Sequence, residues 1–322
     1  MSYIGADFVA DALASLGVEH VFAIVSIHNM PLLDAINRLG KTKIIDVRHE
    51  QAGTHAADGY ARATGKMGVM IASTGPGTSN TVTGLYESQF GSSRVLVITG
   101  QADTTFYGKG LSYVHEAEKQ IQMLSSVCRR VESPRHISQL ADSFQAVVSD
   151  MFTGRPQPGA IEIPIDLQYA DTKKKVAIEL PSDNIFEADP SVISRVADKI
   201  KEASKRIFVV GGGVISSEAT QELCELAEQL DAPVLTTVDG RGVLPEDHRL
   251  CMGNYYNSAG IYSAIQDADL TIAIGTKFAV GVDGQFHEQT PPGELIQIDI
   301  DGNMIGRTHK AAIGVLSDAK SA

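Results

Sequence analysis

Glu50 stands in the first turn of a predicted helix, just after a predicted strand (residues 43–47) and the charged pair Arg48 and His49. A carboxylate there complements the helix dipole, which is worth about 0.3–1 kcal/mol. A second feature, Ser73-Thr74-Gly75-Pro76-Gly77-Thr78-Ser79-Asn80, follows a strand and opens a helix. Its free N–H groups could hold an anion. It also reads as a tight turn with Pro76 near the first helical position, and the pattern leaves both open. A third, Gly211-Gly212-Gly213, nearly fits the dinucleotide fingerprint, with Ser216 where the last glycine belongs and Asp239 roughly where a ribose-binding acid would stand. Alone it is a weak signal, because such turns are common in α/β sheets. Cys128, Cys224 and Cys251 show no CxxC pairing or local His grouping, and the His residues show no HExxH. They predict buried or incidental thiols and no metal site in this chain.

The elements that must position these residues alternate. Strands are expected at residues 21–25, 43–47, 68–73, 95–99 and 160–163, with helices at 5–16, 30–39, 50–63, 78–90 and 137–151. After a charged, proline-containing stretch come strands at 207–210, 233–237, 270–274, 295–298 and 313–316, with helices at 192–203 and 217–230. This is the pattern of an α/β protein with two domains, each a mostly parallel sheet flanked by helices. The expected boundaries are 1–170 for the first domain, 171–188 for a linker and 189–322 for a Rossmann-like second domain.

The run RHEQAGTHAADGYARATGK at 48–66, taken with the turn at 73–80 and GLYESQFGSSRVLVITGQ ending at Gln101, resembles the pyrimidine-binding domain of acetolactate synthase-like thiamine diphosphate enzymes. The second half, with APVLTTVDGRGVLPEDHRL, is similar to that family's central domain. The resemblance implies that Glu50 hydrogen-bonds the aminopyrimidine of thiamine diphosphate, and that Gly75, Pro76, Gly77 and Asn80 border that ring rather than a phosphate. For this role Glu50 must share a proton with the ring, so that the cofactor's carbon acid can be deprotonated and add to a 2-oxo acid. LSYVHEAEKQ falls where the family places active-site side chains, which points to His115 and Glu116, with Gln101 and His28 as further pocket candidates. His28 reads equally well as a surface loop residue. The family usually has Pro-Gly in the loop that here holds Val25-Ser26 and then Ile27; Ile27 stands where simple decarboxylases carry a polar residue. Arg94 replaces a frequent proline. Arg155 matches a flavin-contacting position, but Lys277-Phe278-Ala279-Val280-Gly281 and Met252-Gly253-Asn254-Tyr255 depart from the flavin-binding pattern. Two departures against one match weigh against FAD. Arg155 and Gly211 to Gly213 are therefore only weak nucleotide candidates.

The family's diphosphate-binding domain, whose Gly-Asp-Gly to Asn-Asn stretch holds Mg²⁺, finds no counterpart in these 322 residues. The expectation is a chain that works with such a domain, as part of a longer enzyme or supplied by another polypeptide, in a homo-oligomer or with a partner chain. The expected reaction is decarboxylation of a 2-oxo acid such as pyruvate with carboligation. The alternatives are a non-oxidative decarboxylase, a non-catalytic regulatory partner subunit and a nicotinamide-dependent oxidoreductase using the glycine turn. The net charge of −12 excludes nucleic acid and anionic membrane as natural partners. Short, interrupted apolar runs and no basic-then-apolar opening lead to the expectation of a soluble, cytoplasmic protein.

Overall fold

The computed structural model describes residues 2–172, 177–181, 186–254, 259–279 and 290–322. The chain divides into two compact units, Met1–Ser182 and Asp183–Ala322. Val280, Gly281 and Tyr255, cited above against flavin, lie outside the described residues, as do parts of the expected linker (173–176 and 182–185).

In the first unit the order is α1 (Gly5–Ser15), β1 (His20–Ala23), α2 (Met30–Leu39), β2 (Lys43–Asp46), α3 (Glu50–Thr64), β3 (Gly68–Ala72) and α4 (Pro76–Gly91). There follow β4 (Val95–Gln101), α5 (Gln120–Ser125), β5 (Arg130–Glu132), α6 (Leu140–Phe152), β6 (Gly159–Pro164) and α7 (Ile165–Tyr169). The six strands form one parallel sheet in the order β2-β1-β3-β4-β6-β5. β3, β4 and β6 are buried along their whole length, as expected of strands covered on both faces. One core, with Leu13, Leu32, Ile36 and Phe144, fills one side of the sheet; a second, with Ala57, Met70, Leu85 and Leu124, fills the other. Of the expected linker, residues 171–172 and 177–181 pack on this unit, while Phe186 and Ala188 belong to the second, where Phe186 O accepts Asp318 N and Ser317 Oγ. Thr172 N donates to Tyr3 O, Ile178 is buried in the core, and Gln145 and Glu179 exchange two hydrogen bonds.

The second unit runs α8 (Pro190–Glu202), β7 (Arg206–Val210), α9 (Gly212–Ser216), α10 (Thr220–Leu230), β8 (Val234–Thr236), β9 (Cys251–Asn254), α11 (Ala259–Ile265), β10 (Leu270–Ile274), β11 (Glu294–Asp299) and β12 (Ile313–Leu316). Its parallel sheet is ordered β12-β11-β10-β7-β8-β9. Periodicity missed the two short edge strands, β5 and β9, and the short helices α5, α7, α9 and α11. Edge strands of three and four residues, none fully buried, leave little apolar pattern to read.

Both sheets reverse direction of growth beside their first strand, at β1/β3 and at β7/β10. In open parallel sheets the crevice beyond the strand ends at such a point is where ligands bind. The loops after β1, β2 and β3 bring His28, Glu50 and Gly75 to that end of the first sheet.

Candidate active site

Glu50 begins α3 behind His49, whose Nδ1 accepts from Gln51 N. α3 and α4 lie close because their facing residues are small. A Cβ on Gly84 would stand 2.6 Å from Thr54 Cβ. That approach puts Asn80 within reach of Glu50, and Asn80 Nδ2 donates to Glu50 Oε2 at 2.9 Å. Oε1 meets no donor among the described residues and faces Gly77, where a Cβ would lie 3.2 Å away. The missing side chain thus leaves the carboxylate accessible along the floor of the turn.

The turn itself is held from behind. Gly75 takes φ +60°, ψ −113°, and a Cβ there would meet His115 O at 2.6 Å. Its N–H donates to Gln120 Oε1 at 2.8 Å, so it is not a free anion donor; α4 begins at Pro76, earlier than its periodicity suggests. Thr74 Oγ1 faces Gln101 Oε1, Gln120 Oε1 and His115 O, and Thr78 Oγ1 bonds Ser73 O and Thr99 Oγ1. Gln101 and Gln120 are both buried, and both amide nitrogens donate to Glu162, itself fully buried. Sequence reading missed Gln120 and Glu162. Gln120 closes the stretch LSYVHEAEKQ, where the resemblance points to His115 and Glu116 instead, and Glu162 sits inside an apolar strand where pattern predicts burial of apolar groups.

His28 is buried (1% exposed), which corrects its reading as a surface loop residue. Gln168 Nε2 donates to its carbonyl at 2.7 Å, and a Cβ on Gly100 would stand 2.3 Å from the same oxygen. In place of the family's Pro-Gly, Ser26 and the buried Asn29 organise this loop: Ser26 N donates to Asn29 Oδ1, Asn29 Nδ2 to Ile24 O, and His28 N to Ser26 Oγ. His28 Nδ1 lies 3.4 Å from Ser73 Oγ, while Nε2 is buried without a partner. Burial lowers the His28 pKa, helped by His115, whose ring centre is 6.0 Å away, and opposed by the Val114 carbonyl. Ile27 beside it is 62% exposed. The structure thus brings His28, Gln101 and His115 around the turn. Glu116 instead accepts Gly108 N and holds its own loop.

Two weak candidates lie elsewhere. Arg155 Nε donates to Ser92 Oγ at the far end of α4, about 24 Å along a 16-residue helix from the turn. Arg94 lies over the Phe152 ring, 4.7 Å from its centre. In the second unit, Cβ atoms on Gly211 and Gly213 would strike Gly275 at 2.3 and 2.6 Å, and one on Gly212 would lie 3.2 Å from Asp239 Cβ. Backbone packing against the neighbouring strand's turn accounts for these glycines without a nucleotide.

Tertiary structure does gather Cys224, Glu228 and His248, a grouping invisible in sequence. His248 Nε2 lies 3.1 Å from Glu228 Oε1, and Nδ1 accepts Leu250 N–H. Since a backbone N–H can only donate, the ring proton belongs on Nε2, which leaves no lone pair there for a metal. No helix among the described residues is long and apolar enough to cross a membrane.

Residues 4–125 match the thiamine pyrophosphate enzyme N-terminal TPP-binding domain, and residues 193–322 match the central domain of the same enzymes. The chain is 34% identical to a protein named probable acetolactate synthase large subunit from Methanocaldococcus jannaschii, over 98% of this chain and 54% of that relative. It is 35% identical to acetolactate synthase of Mycobacterium avium, and 33% identical to acetolactate synthase large subunit of Corynebacterium glutamicum, each over 98% of this chain and 51% of the relative. It spans about half the length of the curated relatives it matches. With both domains matched in order and the parallel α/β fold of each in place, the chain belongs to the thiamine pyrophosphate enzyme family, acetolactate synthase-like.

Proposed function

We propose that this chain forms the pyrimidine-binding and central part of an enzyme that decarboxylates a 2-oxo acid and joins the product to a second carbonyl compound, using thiamine diphosphate. Its relatives' printed names support the carboligation; the observation that supports cofactor binding most is the Glu50–Asn80–Gly77 arrangement. Gly77 keeps a side chain out of the way of Glu50 Oε1, and Glu50, Gly77 and Asn80 would hold the cofactor's ring on this side.

When bound, the cofactor supplies a carbon nucleophile and an electron sink. The chain's own residues do the rest on this side. Asn80 anchors Oε2 and leaves Oε1 unengaged, so that Glu50 would be the group to hold and return one proton at a ring nitrogen. The Gly75 turn, fastened by Gln120, keeps the floor of the site in place, and Pro76 presets the start of α4. His28, with a buried Nε2 and a lowered pKa, is a neutral group at the same end of the sheet, suited to donating a hydrogen bond to a 2-oxo acid. Mg²⁺ and the diphosphate belong to a domain outside these residues, supplied by the same or another polypeptide.

The test is Glu50→Gln in the enzyme assembled with its diphosphate-binding domain. Turnover should fall by roughly 10²–10⁴, the range for loss of a positioned acid–base group. Full activity in that variant refutes the assignment.

A further inference from the structure

Glu162 lies on β6 opposite Thr99 of β4 and is fully buried. Oε2 accepts Gln101 Nε2 at 2.9 Å and Gln120 Nε2 at 2.8 Å; Oε1 accepts Ser133 Oγ at 2.7 Å and Arg135 Nη2 at 3.2 Å. Arg135 is itself stacked on the Tyr107 ring, 3.8 Å from its centre. Burying a carboxylate costs several kcal/mol unless its oxygens are matched, and here four donors match them.

A side-chain amide has one donating end and one accepting end. Glu162 is the charged acceptor for the donating ends of Gln101 and Gln120, which also reach Ala117 O at 3.3 Å and Gly100 O at 3.1 Å, so their oxygens must face the other way. Gln101 Oε1 takes Ala102 N at 2.8 Å and Gln120 Oε1 takes Gly75 N at 2.8 Å, and they lie 3.3 and 3.2 Å from Thr74 Oγ1. A flipped Gln120 would set an NH₂ group against the Gly75 N–H and leave a buried donor without an acceptor, at a cost of about 1–3 kcal/mol.

We infer that Glu162 is a positioning residue: its carboxylate sets the amide orientation of Gln101 and Gln120, and through Gln120 the Thr74–Gly75 turn that presents Gly77 and Asn80 to Glu50. It has no hydrogen bond to Glu50 and acts only through the two glutamines. What the turn is for rests on the thiamine diphosphate reading; how it is held does not.

The test uses two readouts, amide hydrogen exchange by ¹⁵N NMR on the full chain and thiamine diphosphate binding by calorimetry on the enzyme assembled with its diphosphate-binding domain. Gly75 N–H should be protected in the wild type. In Glu162→Gln its exchange should rise about tenfold, the effect of losing one hydrogen bond of ordinary strength, while the Ile71 and Ile98 amides in the sheet stay protected. Affinity should weaken by a similar factor. The double variant E162Q/Q120E, which moves the carboxylate to position 120, should restore protection of Gly75, as a merely structural role would not require. Should Glu162→Gln fail to fold, Gln120→Met leaves Glu162 three donors and should still release Gly75. Unchanged Gly75 exchange in either folded variant overturns the inference, as does global unfolding of both with no selective change at Gly75. If the enzyme assembled with its diphosphate-binding domain binds no cofactor, the functional reading falls, while the exchange data still decide the role of Glu162.

Discussion

Gly77→Ala separates stability from ligand binding at the proposed site. Gly77 lies in the first turn of α4, where alanine gains up to about 1 kcal/mol of helix propensity. The new Cβ would stand 2.8 Å from Ser73 Cβ and 3.2 Å from Glu50 Oε1. Crowding of this kind costs about 1–3 kcal/mol. The net change is then about 0–3 kcal/mol of lost stability, a shift of a few degrees for a chain of this size. Binding should change more. A methyl group between the turn and Oε1 prevents a ring from reaching the carboxylate, and a hydrogen bond to a charged group is worth about 1.5–3 kcal/mol. At 1.4 kcal/mol per decade that is a loss of about 10- to 150-fold in affinity. The assay is calorimetric titration of the enzyme assembled with its diphosphate-binding domain, with thiamine diphosphate and Mg²⁺, beside a thermal melt of this chain. Gly59→Ala on α3 is the control: its Cβ would meet nothing within 4 Å, so it should stabilise slightly and bind normally. A folded Gly77→Ala chain that binds within about twofold of wild type would refute the reasoning, since 0.4 kcal/mol is too little for a lost contact to Glu50.

The buried His28 ties stability to pH. Its folded pKa lies below 6.5, so the unfolded chain takes up the proton first; stability is flat above that value and falls as pH drops from about 6.5 toward the folded pKa. His28→Gln should flatten part of this slope in denaturant titrations, His309 supplying a further part of the same sign; an unchanged slope contradicts it. Gly211→Ala and Gly213→Ala should each destabilise the second unit by about 1–3 kcal/mol through collision with Gly275, and wild-type affinity for NADH should be absent in saturation-transfer NMR. Strong ribose contacts in that experiment would revive the nucleotide reading. Zinc should leave the melting temperature unchanged; a zinc-dependent rise abolished by Cys224→Ser would show that His248 gives up its Nε2 proton to a metal.

The fold was legible because its central strands are continuous apolar runs. GVMIA of β3 and LTIAI of β10 are buried at every position, and such runs separated by helical periods admit only a covered parallel sheet. The same logic hid β5 and β9, which are short and lie at sheet edges. Glu50 and the Gly-Pro-Gly turn were legible through their resemblance to a family; their dipole-complementing and turn-forming roles were legible from pattern alone, and those do not identify a ligand. Sequence left His28 open between pocket and surface loop because a lone histidine between Ile27 and Asn29 carries no clear burial signal. Gln168 and Gly100, far away in sequence, are what bury it.

The chain's order of residues by itself determined the alternation of strand and helix, the start of α3 at Glu50 and α4 at a Gly-Pro-Gly turn, and the kinship with thiamine pyrophosphate enzymes. These depend on neighbours within a few positions or on motifs kept in one stretch. Tertiary structure alone decided that Gly75 N–H is occupied by Gln120, that Glu162 orients both glutamines, that Gly211 and Gly213 are packed by Gly275, and that Cys224 meets His248. Each of these joins residues from separate strands and loops. A buried polar group takes whatever partner the packed sheet brings to it, and local sequence does not encode that partner.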